Sequence, residues 1–339
     1  MTISQLHSEI FEQPHIIQNF LDRESQNVAS IAKRVNDYDI RYIVIAARGT
    51  SDNAARYGQY IFGAINRLTV ALATPSLFGI YHRPPRLDNA LVIGISQSGQ
   101  SPDIVNVITE ARAQGSPTIA ITNDPQSPLA LAASHLIQLR AGEEKSVAAT
   151  KTYTAQLVAL ALLANHTSLS EDRSLASIPE AMSRTLELES QVKEAASRLA
   201  RSDRCVVIGR GYNFATAHEI ALKIKELTYV AAEPYSSADF KHGPIAMMEK
   251  DFPVVMVDVG EAMRGEMREL KEKMDARGAN IITLGDAADS TLRLSHSLPE
   301  WLTPIIAILP GQLLAYHLAF ARGLDPDQPR AISKVTLTK

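Results

Sequence analysis

The sequence predicts an α/β protein: two tandem doubly wound parallel-sheet domains related by internal duplication. Three observations predict it. Short β-branched runs alternate with longer helical patterns along the whole chain, which is the logic of βαβ units around a sheet buried on both faces. Three such runs then recur in the same order at one offset. RYIVIAARGTSDNAARYGQYIF (41–62) has the shape of RCVVIGRGYNFATAHEIALKIKE (204–226), with Gly49 and Gly211 162 positions apart, and the same offset pairs LVIGIS (91–96) with PVVMVD (253–258) and PTIAIT (117–122) with ANIITL (279–284). Three segments sharing one offset point to a duplication. Finally, 339 residues exceed one ordinary domain.

Taken in order, residues 1–35 form a leading helical segment and 36–165 the first domain. The stretch around 165–185 (HTSLSEDRSLASIPEAM) is polar, carries a proline and is expected to join the halves. Residues 186–322 form the second domain, and 323–339 a tail (LDPDQPRAISKVTLTK after Gly323) too broken by proline for a regular helix.

Composition narrows the function. Hydrophobic residues make up 45%, charged residues 21% and the net charge is −3, so nothing favours nucleic acid or an anionic membrane as a partner. No apolar run is expected to approach the ~20 residues that span a bilayer, and the polar N-terminus MTISQLHSEIFEQPH is no signal peptide. The single cysteine, Cys205, lies in the strand-like CVVIG and reads as a buried structural thiol. A cytoplasmic location is the expectation, since one cysteine forms no internal disulfide.

Residues 92–103, VIGISQSGQSPD, carry the first candidate site. Serines and a glycine between a strand and a helix are either a stop signal or donors for an anion at the helix start. In a doubly wound sheet this turn lies at the carboxyl end of a strand, where ligands bind. The duplicated position, PVVMVDVGEAMRGEM, has no serine cluster and carries acidic groups. A turn alone would not need three hydroxyls in one copy only, so the asymmetry favours an anion site in SQSGQS, with hydroxyls at Ser96, Ser98 and Ser101. Ser51 in ARGTSDN and Thr150 in SVAATKT are expected to converge on it.

Other motifs fail. There is no G-x-x-x-x-G-K-[ST], the G-x-G at Gly209 and Gly211 lacks its third glycine, and GISQS has Ser98 where the esterase elbow needs glycine. HEIAL (218–222) lacks the second histidine of a zincin helix, so neither a metal nor another cofactor is expected.

The helix TAHEIALKIKELTYV (216–230) places Glu219, Lys223 and Glu226 on one face and Ile220, Ile224 and Leu227 on an adjacent, core-facing stripe. Either the charged face is a solvated salt-bridged surface, or it faces the crevice and holds an ionised general base. His242 in KHGP sits on a turn constrained by Gly243 and Pro244, and is either structural or a proton shuttle for opening a sugar ring.

ISQSGQSPD, SVAATKT, HEIALKIKELTYVAAEPYSSADFKHGP and DPDQPRAISKVTLTK together resemble the sugar-phosphate isomerase half of the glutamine–fructose-6-phosphate aminotransferase family, a tandem of SIS (sugar isomerase) domains. The resemblance covers nearly the whole chain. It implies a ketose or aldose 6-phosphate as ligand, bound by Ser51, Ser96, Gln97, Ser98, Ser101 and Thr150. It makes Glu226 the isomerase base, with Glu219 and Lys223 beside it. It makes His242 a ring-opening group lent by a neighbouring subunit, hence a homodimer with a shared active site. It makes Lys334 a lysine able to form an imine with the open-chain ketose.

There are departures. VAATK has Ala149 where the family pattern VASTK has serine, removing one hydroxyl. The start Met1-Thr2 leaves no room for a glutaminase domain with its catalytic cysteine, so ammonia is not expected to come from glutamine. The chain is similar in this to the second type of glucosamine-6-phosphate deaminase and to fructosamine-6-phosphate deglycases. The implied activity is conversion of glucosamine 6-phosphate and water to fructose 6-phosphate and ammonia. The alternatives are a deglycase, an isomerase releasing no amine, or a non-catalytic sugar-phosphate sensor.

Overall fold

The computed structural model describes residues 4–168, 172–330 and Lys334. They fall into two compact units. The first holds His15–Glu144, Lys151–Ala176 and Lys334; the second holds residues 4–14, Lys145–Thr150 and residues 177–330. Helix α1 (Gln5–Asn36) contributes to both, with Pro14 inside it. Its free N-terminal N–H groups are capped by a carboxylate from the far end of the chain: Asp327 accepts from the backbone of Gln5 and Leu6 and from the Ser4 hydroxyl, each at 2.9 Å.

The first unit is a five-stranded parallel sheet of β1 (Tyr42–Ala46), β2 (Thr69–Leu72), β3 (Ala90–Ile95), β4 (Thr118–Thr122) and β5 (His135–Gln138), in the order β2-β1-β3-β4-β5. β3 and β4 are buried throughout, as strands covered on both faces must be. The connections are α2 (Gly49–Asn66), α3 (Pro75–Gly79), α4 (Pro102–Ala113) and α5 (Pro128–Ala132), with α6 (Lys151–His166) packed on α2. The order reverses between β1 and β3, so the turns leaving those strands open on the position where doubly wound sheets bind ligands.

The second unit repeats this plan. After α7 (Ile178–Leu186) and α8 (Glu189–Ser197) come β6 (Arg204–Gly209), α9 (Phe214–Thr228), β7 (Ala231–Ser236), α10 (Ser237–Lys241), β8 (Pro253–Asp258), α11 (Arg264–Asp275), β9 (Asn280–Gly285), β10 (Leu292–Arg293) and α12 (Thr303–Ala321). The sheet order β10-β9-β8-β6-β7 is the first sheet's order shifted by five strands. The duplication extends to single residues. Gly49 and Gly211 have φ of +53° and +56°, a left-handed conformation that glycine adopts without cost, and the arginines before them have almost the same extended backbone.

The polar joint around 165–185 contains regular structure, because IPEAMSRTL has proline at a helix start and an amphipathic spacing that builds α7. One expectation needs correction. The chain does carry an apolar run of membrane-spanning length: residues 300–321, which contain all of α12. Its apolar face has no polar side because α7, α8 and α9 pack around it, so it is the core helix of the second unit. Truncating a fully buried residue there, such as Leu313, costs about 2–5 kcal/mol. The tail has no regular helix over 324–330, as expected; of its remainder, 331–333 and 335–339 lie outside the described residues.

Candidate active site

In the first unit the strand ladder runs to the edge of the serine turn, where Ser96 N–H donates to the Ile121 carbonyl at 3.1 Å. The chain then reverses at Gly99, whose φ is +63° and where a Cβ would lie 2.1 Å from Ser127 Oγ, so only glycine fits. The turn is clamped from behind. The Gln97 carbonyl accepts from Asn123 N–H at 3.1 Å and the Thr122 hydroxyl at 3.2 Å, and the Gly99 carbonyl accepts from Leu129 N–H at 3.1 Å. Ser96 and Ser98 Oγ accept from the backbone of Gly99 and Gln100 at 3.1 and 3.3 Å, which leaves their hydroxyl protons to donate. Ser101 is the N-cap of α4, but its side chain makes no capping bond and Pro102 follows. Free donors at a helix start suit an oxyanion.

Ser51, in the first turn of α2, is buried, and its Oγ accepts from Gln156 Nε2 of α6 at 3.0 Å. The amide orients the hydroxyl and leaves its proton free to donate. Before it, Arg48 Nε donates to Asp103 Oδ2 of α4 at 2.7 Å. Burial pushes the Asp52 carboxyl up, and the guanidinium charges of Arg56 and Arg48 oppose this. In the same unit Lys334 Nζ donates to the buried Glu144 at 2.8 Å, and Glu144 also accepts from the Thr152 hydroxyl at 2.7 Å and its N–H at 3.2 Å.

The second unit carries a different chemistry. On α9, Lys223 Nζ lies 3.4 Å from Glu219 Oε1 and 2.5 Å from Glu226 Oε2. Glu219 and Lys223 are 0% and 1% exposed, which excludes a solvated surface pair, whereas Glu226 is 24% exposed. Ile220, Ile224 and Leu227 are buried on the adjacent stripe, as their spacing predicts. The helix stops at Tyr229, a left-handed C-cap with φ +59°. Arg330 stacks its guanidinium 3.8 Å over the Tyr229 ring while its N–H donates to the Tyr229 hydroxyl at 2.8 Å, fixing the tail beside the helix end. His242 ends α10, which Ser236 caps; it is exposed, and Gly243 (φ +155°) and Pro244 follow it. Cys205 is buried and its thiol is pushed up to about 12 by burial, so it is no nucleophile.

The turn after β8, duplicate of the serine turn, is filled by the protein's own carboxylates. Asp286 accepts from Gly260 N–H at 3.4 Å, and Glu300 from Ala262 N–H at 3.3 Å. Asp258, 162 positions after Ser96, is pushed up to about 6 by burial and by Asp286 and Asp289, against the pull of Arg264. An anion would be repelled there, as the acidic sequence predicts.

A family model described as the SIS domain matches residues 38–166 and again 198–322. The chain belongs to the SIS domain family. A glutamine–fructose-6-phosphate aminotransferase [isomerizing] from Pyrococcus horikoshii is 37% identical over 340 residues, covering 96% of this chain and 56% of that protein. The chain thus spans little more than half the length of the curated relatives it matches. A crystal structure provisionally assigned as a phosphosugar isomerase, from Silicibacter pomeroyi DSS-3, is 34% identical with a TM-score of 0.86, covering 96% of this chain and 100% of that one. The C-terminal domain of glucosamine-fructose-6-phosphate aminotransferase from Francisella tularensis has a TM-score of 0.87 at 27% identity, covering 96% and 98% of the two chains. A glucosamine-6-phosphate deaminase from Thermotoga maritima shares the fold, with a TM-score of 0.85 at 21% identity over 99% and 100% of the two chains.

Within this tandem SIS fold, Ser51, Ser96, Gln97, Ser98, Ser101 and Lys334 belong to the first unit, and Glu219, Lys223, Glu226 and His242 to the second. Thr150 belongs to the second unit, where it is buried and its carbonyl accepts from Gln312 at 3.5 Å. Arg48, Asp103, Glu144 and Gln156 are polar groups of the first SIS repeat that the sequence reading missed. Only Asp103 had a local signal, an acidic residue in a first helical turn; the others are identified by partners 55, 190 and 105 positions away.

Proposed function

We propose that this SIS protein is an aminosugar-phosphate isomerase and deaminase that converts glucosamine 6-phosphate and water to fructose 6-phosphate and ammonia. One observation carries the reading: the buried Lys223 contacts Glu226 at 2.5 Å while the Glu226 side chain stays 24% exposed, so a positioned carboxyl group remains within reach of a substrate, as a general base must be. The 6-phosphate is anchored by the hydroxyls of Ser51, Ser96, Ser98 and Ser101, with Gln97 and Thr150, through charge-assisted hydrogen bonds. His242, supplied by a second copy of the chain, opens the hemiacetal ring by moving a proton from the C1 hydroxyl to the ring oxygen. Glu226 then takes the C2 proton and returns it to C1 while one amine proton passes to the C1 oxygen, so the aldehyde becomes a hydroxymethyl group and the C2 amine a ketimine. Water adds to C2, the C–N bond breaks and ammonia leaves with a proton. In this reading Lys334 is the amine that forms an imine with the open-chain ketose, losing water. Each positioned proton transfer contributes about 10²–10⁴ in rate, and the remote phosphate orients the reacting carbons.

A second reading, a phosphosugar isomerase releasing no amine, is favoured by the 34% identity to the Silicibacter pomeroyi chain, and it uses the same residues. The test is an ammonia-release assay over a panel of 2-amino-2-deoxyhexose 6-phosphates and fructosamine 6-phosphates, with fructose 6-phosphate as the product followed. Ammonia from glucosamine 6-phosphate is the expected result. Aldose–ketose interconversion without ammonia would move the assignment to the second reading. Thermal stabilisation by sugar phosphates with no product would leave a sensor.

A further inference from the structure

The serine turn offers hydroxyls and backbone N–H groups to a dianion, yet none of the residues assigned to the phosphate there is cationic. Arg48 fills that lack. It follows β1, the strand paired to β3 in the register Ala46↔Gly94, so it leaves the sheet at the same end as Ser96. Its Nε is held 2.7 Å from Asp103, and Asp103 lies in the first turn of α4, two residues past the Ser101 N-cap. The tether fixes the guanidinium beside the serine turn. Asp103 is 1% exposed and Arg48 49%, so the arginine neutralises a buried carboxylate on one side and presents its other edge outward. Nη1 and Nη2 make no hydrogen bond among the described residues. A planar guanidinium with two free donors matches a phosphate bidentately.

The second repeat gives an internal comparison. Arg210, the duplicate of Arg48, approaches Glu266 in the first turn of α11 at 3.9 Å, beside a turn already filled by carboxylates. Each copy thus sets its arginine near an acidic residue in a first helical turn, Glu266 standing one position past the duplicate of Asp103, and only the first copy keeps a turn that is not already filled by carboxylates.

We propose that Arg48, tethered by Asp103, is the cationic ligand of the sugar phosphate in the first repeat. This rests on the reading of the serine turn as the phosphate site. Arg48 is a binding residue: it strengthens attraction for the dianion and makes that attraction dependent on salt.

The experiment measures binding of fructose 6-phosphate and of inorganic phosphate, by calorimetry at low and high salt, to the wild-type protein and to Arg48→Gln, Arg48→Lys, Arg210→Gln and Arg48→Gln/Asp103→Asn. Thermal unfolding of each variant serves as the folding control. Arg48→Gln should weaken fructose 6-phosphate binding by roughly 10–100-fold and flatten its salt dependence. Arg48→Lys should restore part of the affinity, and Arg210→Gln should bind as wild type. The double variant removes the buried carboxylate along with its partner. If it binds as tightly as wild type, Arg48 only neutralises Asp103 and the inference falls; if it stays weak, Arg48 touches the phosphate. A Ser98→Ala variant that folds normally separates the two readings: if it binds both ligands as wild type does, the phosphate reading of the turn itself fails, and this inference with it.

Discussion

Lys223 donates to Glu226 across 2.5 Å, less than one turn along α9, and the two differ sharply in exposure: 1% for the lysine and 24% for the carboxylate. A buried cation thus holds one oxygen of a carboxyl group that is itself partly exposed. Glu219, fully buried on the far side, compensates the lysine charge, so Lys223 has a partner whether or not Glu226 is protonated during turnover.

Glu226→Gln keeps the shape and the hydrogen bond but removes the proton acceptor. Turnover is expected to fall by about 10²–10⁴ with fructose 6-phosphate affinity unchanged. Steady-state kinetics with calorimetry on the same preparation checks this. Undiminished turnover removes Glu226 from the base role.

Lys223→Met leaves Glu219 buried without its cation. The expected loss is about 3–5 kcal/mol of stability, read as a lowered urea midpoint. Adding Glu219→Gln should recover part of it, since the second change removes the stranded charge. An unchanged midpoint in the single variant would mean that the group is hydrated rather than buried.

His242 is exposed and held on a fixed turn, in keeping with a ring lent to another copy of the chain. His242→Ala and Glu226→Ala chains should each be inactive alone. Mixed dimers should regain up to about a quarter to a half of wild-type activity, because one of two pockets then carries both intact groups. Confirmed mixed dimers with no recovery would show that each pocket is built from one polypeptide.

Lys334, bound to Glu144, belongs to the first unit. Borohydride reduction in the presence of fructose 6-phosphate should attach the reduced sugar phosphate to Lys334, seen by peptide mapping. Label confined to other lysines would remove Lys334 from the imine role.

Much of the fold was legible because duplication doubles every signal. A strand such as LVIGI (91–95) is ambiguous alone, but its partner PVVMV (253–257) at the same offset fixes both as β3 and β8. The sites divide by how local their chemistry is. Glu219, Lys223 and Glu226 share one helix, so periodicity places them together. Gln156 and Ser51 are 105 positions apart, and no local pattern shows that one orients the other. Burial separated the two readings of the α9 charges, and burial belongs to the packed chain rather than to the window around Lys223. Pro310 and Gln312 break up the apolar run of α12 in the sequence, yet both are buried in the fold, Gln312 through hydrogen bonds with Gln13 and the Thr150 carbonyl.

Asp258 gives a pH dependence with a definite direction. Its folded-state carboxyl is pushed up to about 6 from an ordinary value of 3.8, first by burial and then by Asp286 and Asp289. Between roughly pH 4 and 6 the folded protein holds a proton that the unfolded chain has released, so stability falls as pH rises through that window and levels off above it. The group is partly open to solvent, so the effect is modest, but its sign is fixed. Asp258→Asn removes the titration. The variant should be more stable than wild type near about pH 8, with the gap closing toward about pH 4. Urea midpoints at acidic, intermediate and alkaline pH measure it. A gap constant across the range, or one that widens in acid, would mean that Asp258 is not the strained carboxylate of the second repeat, and that Arg264 compensates it fully.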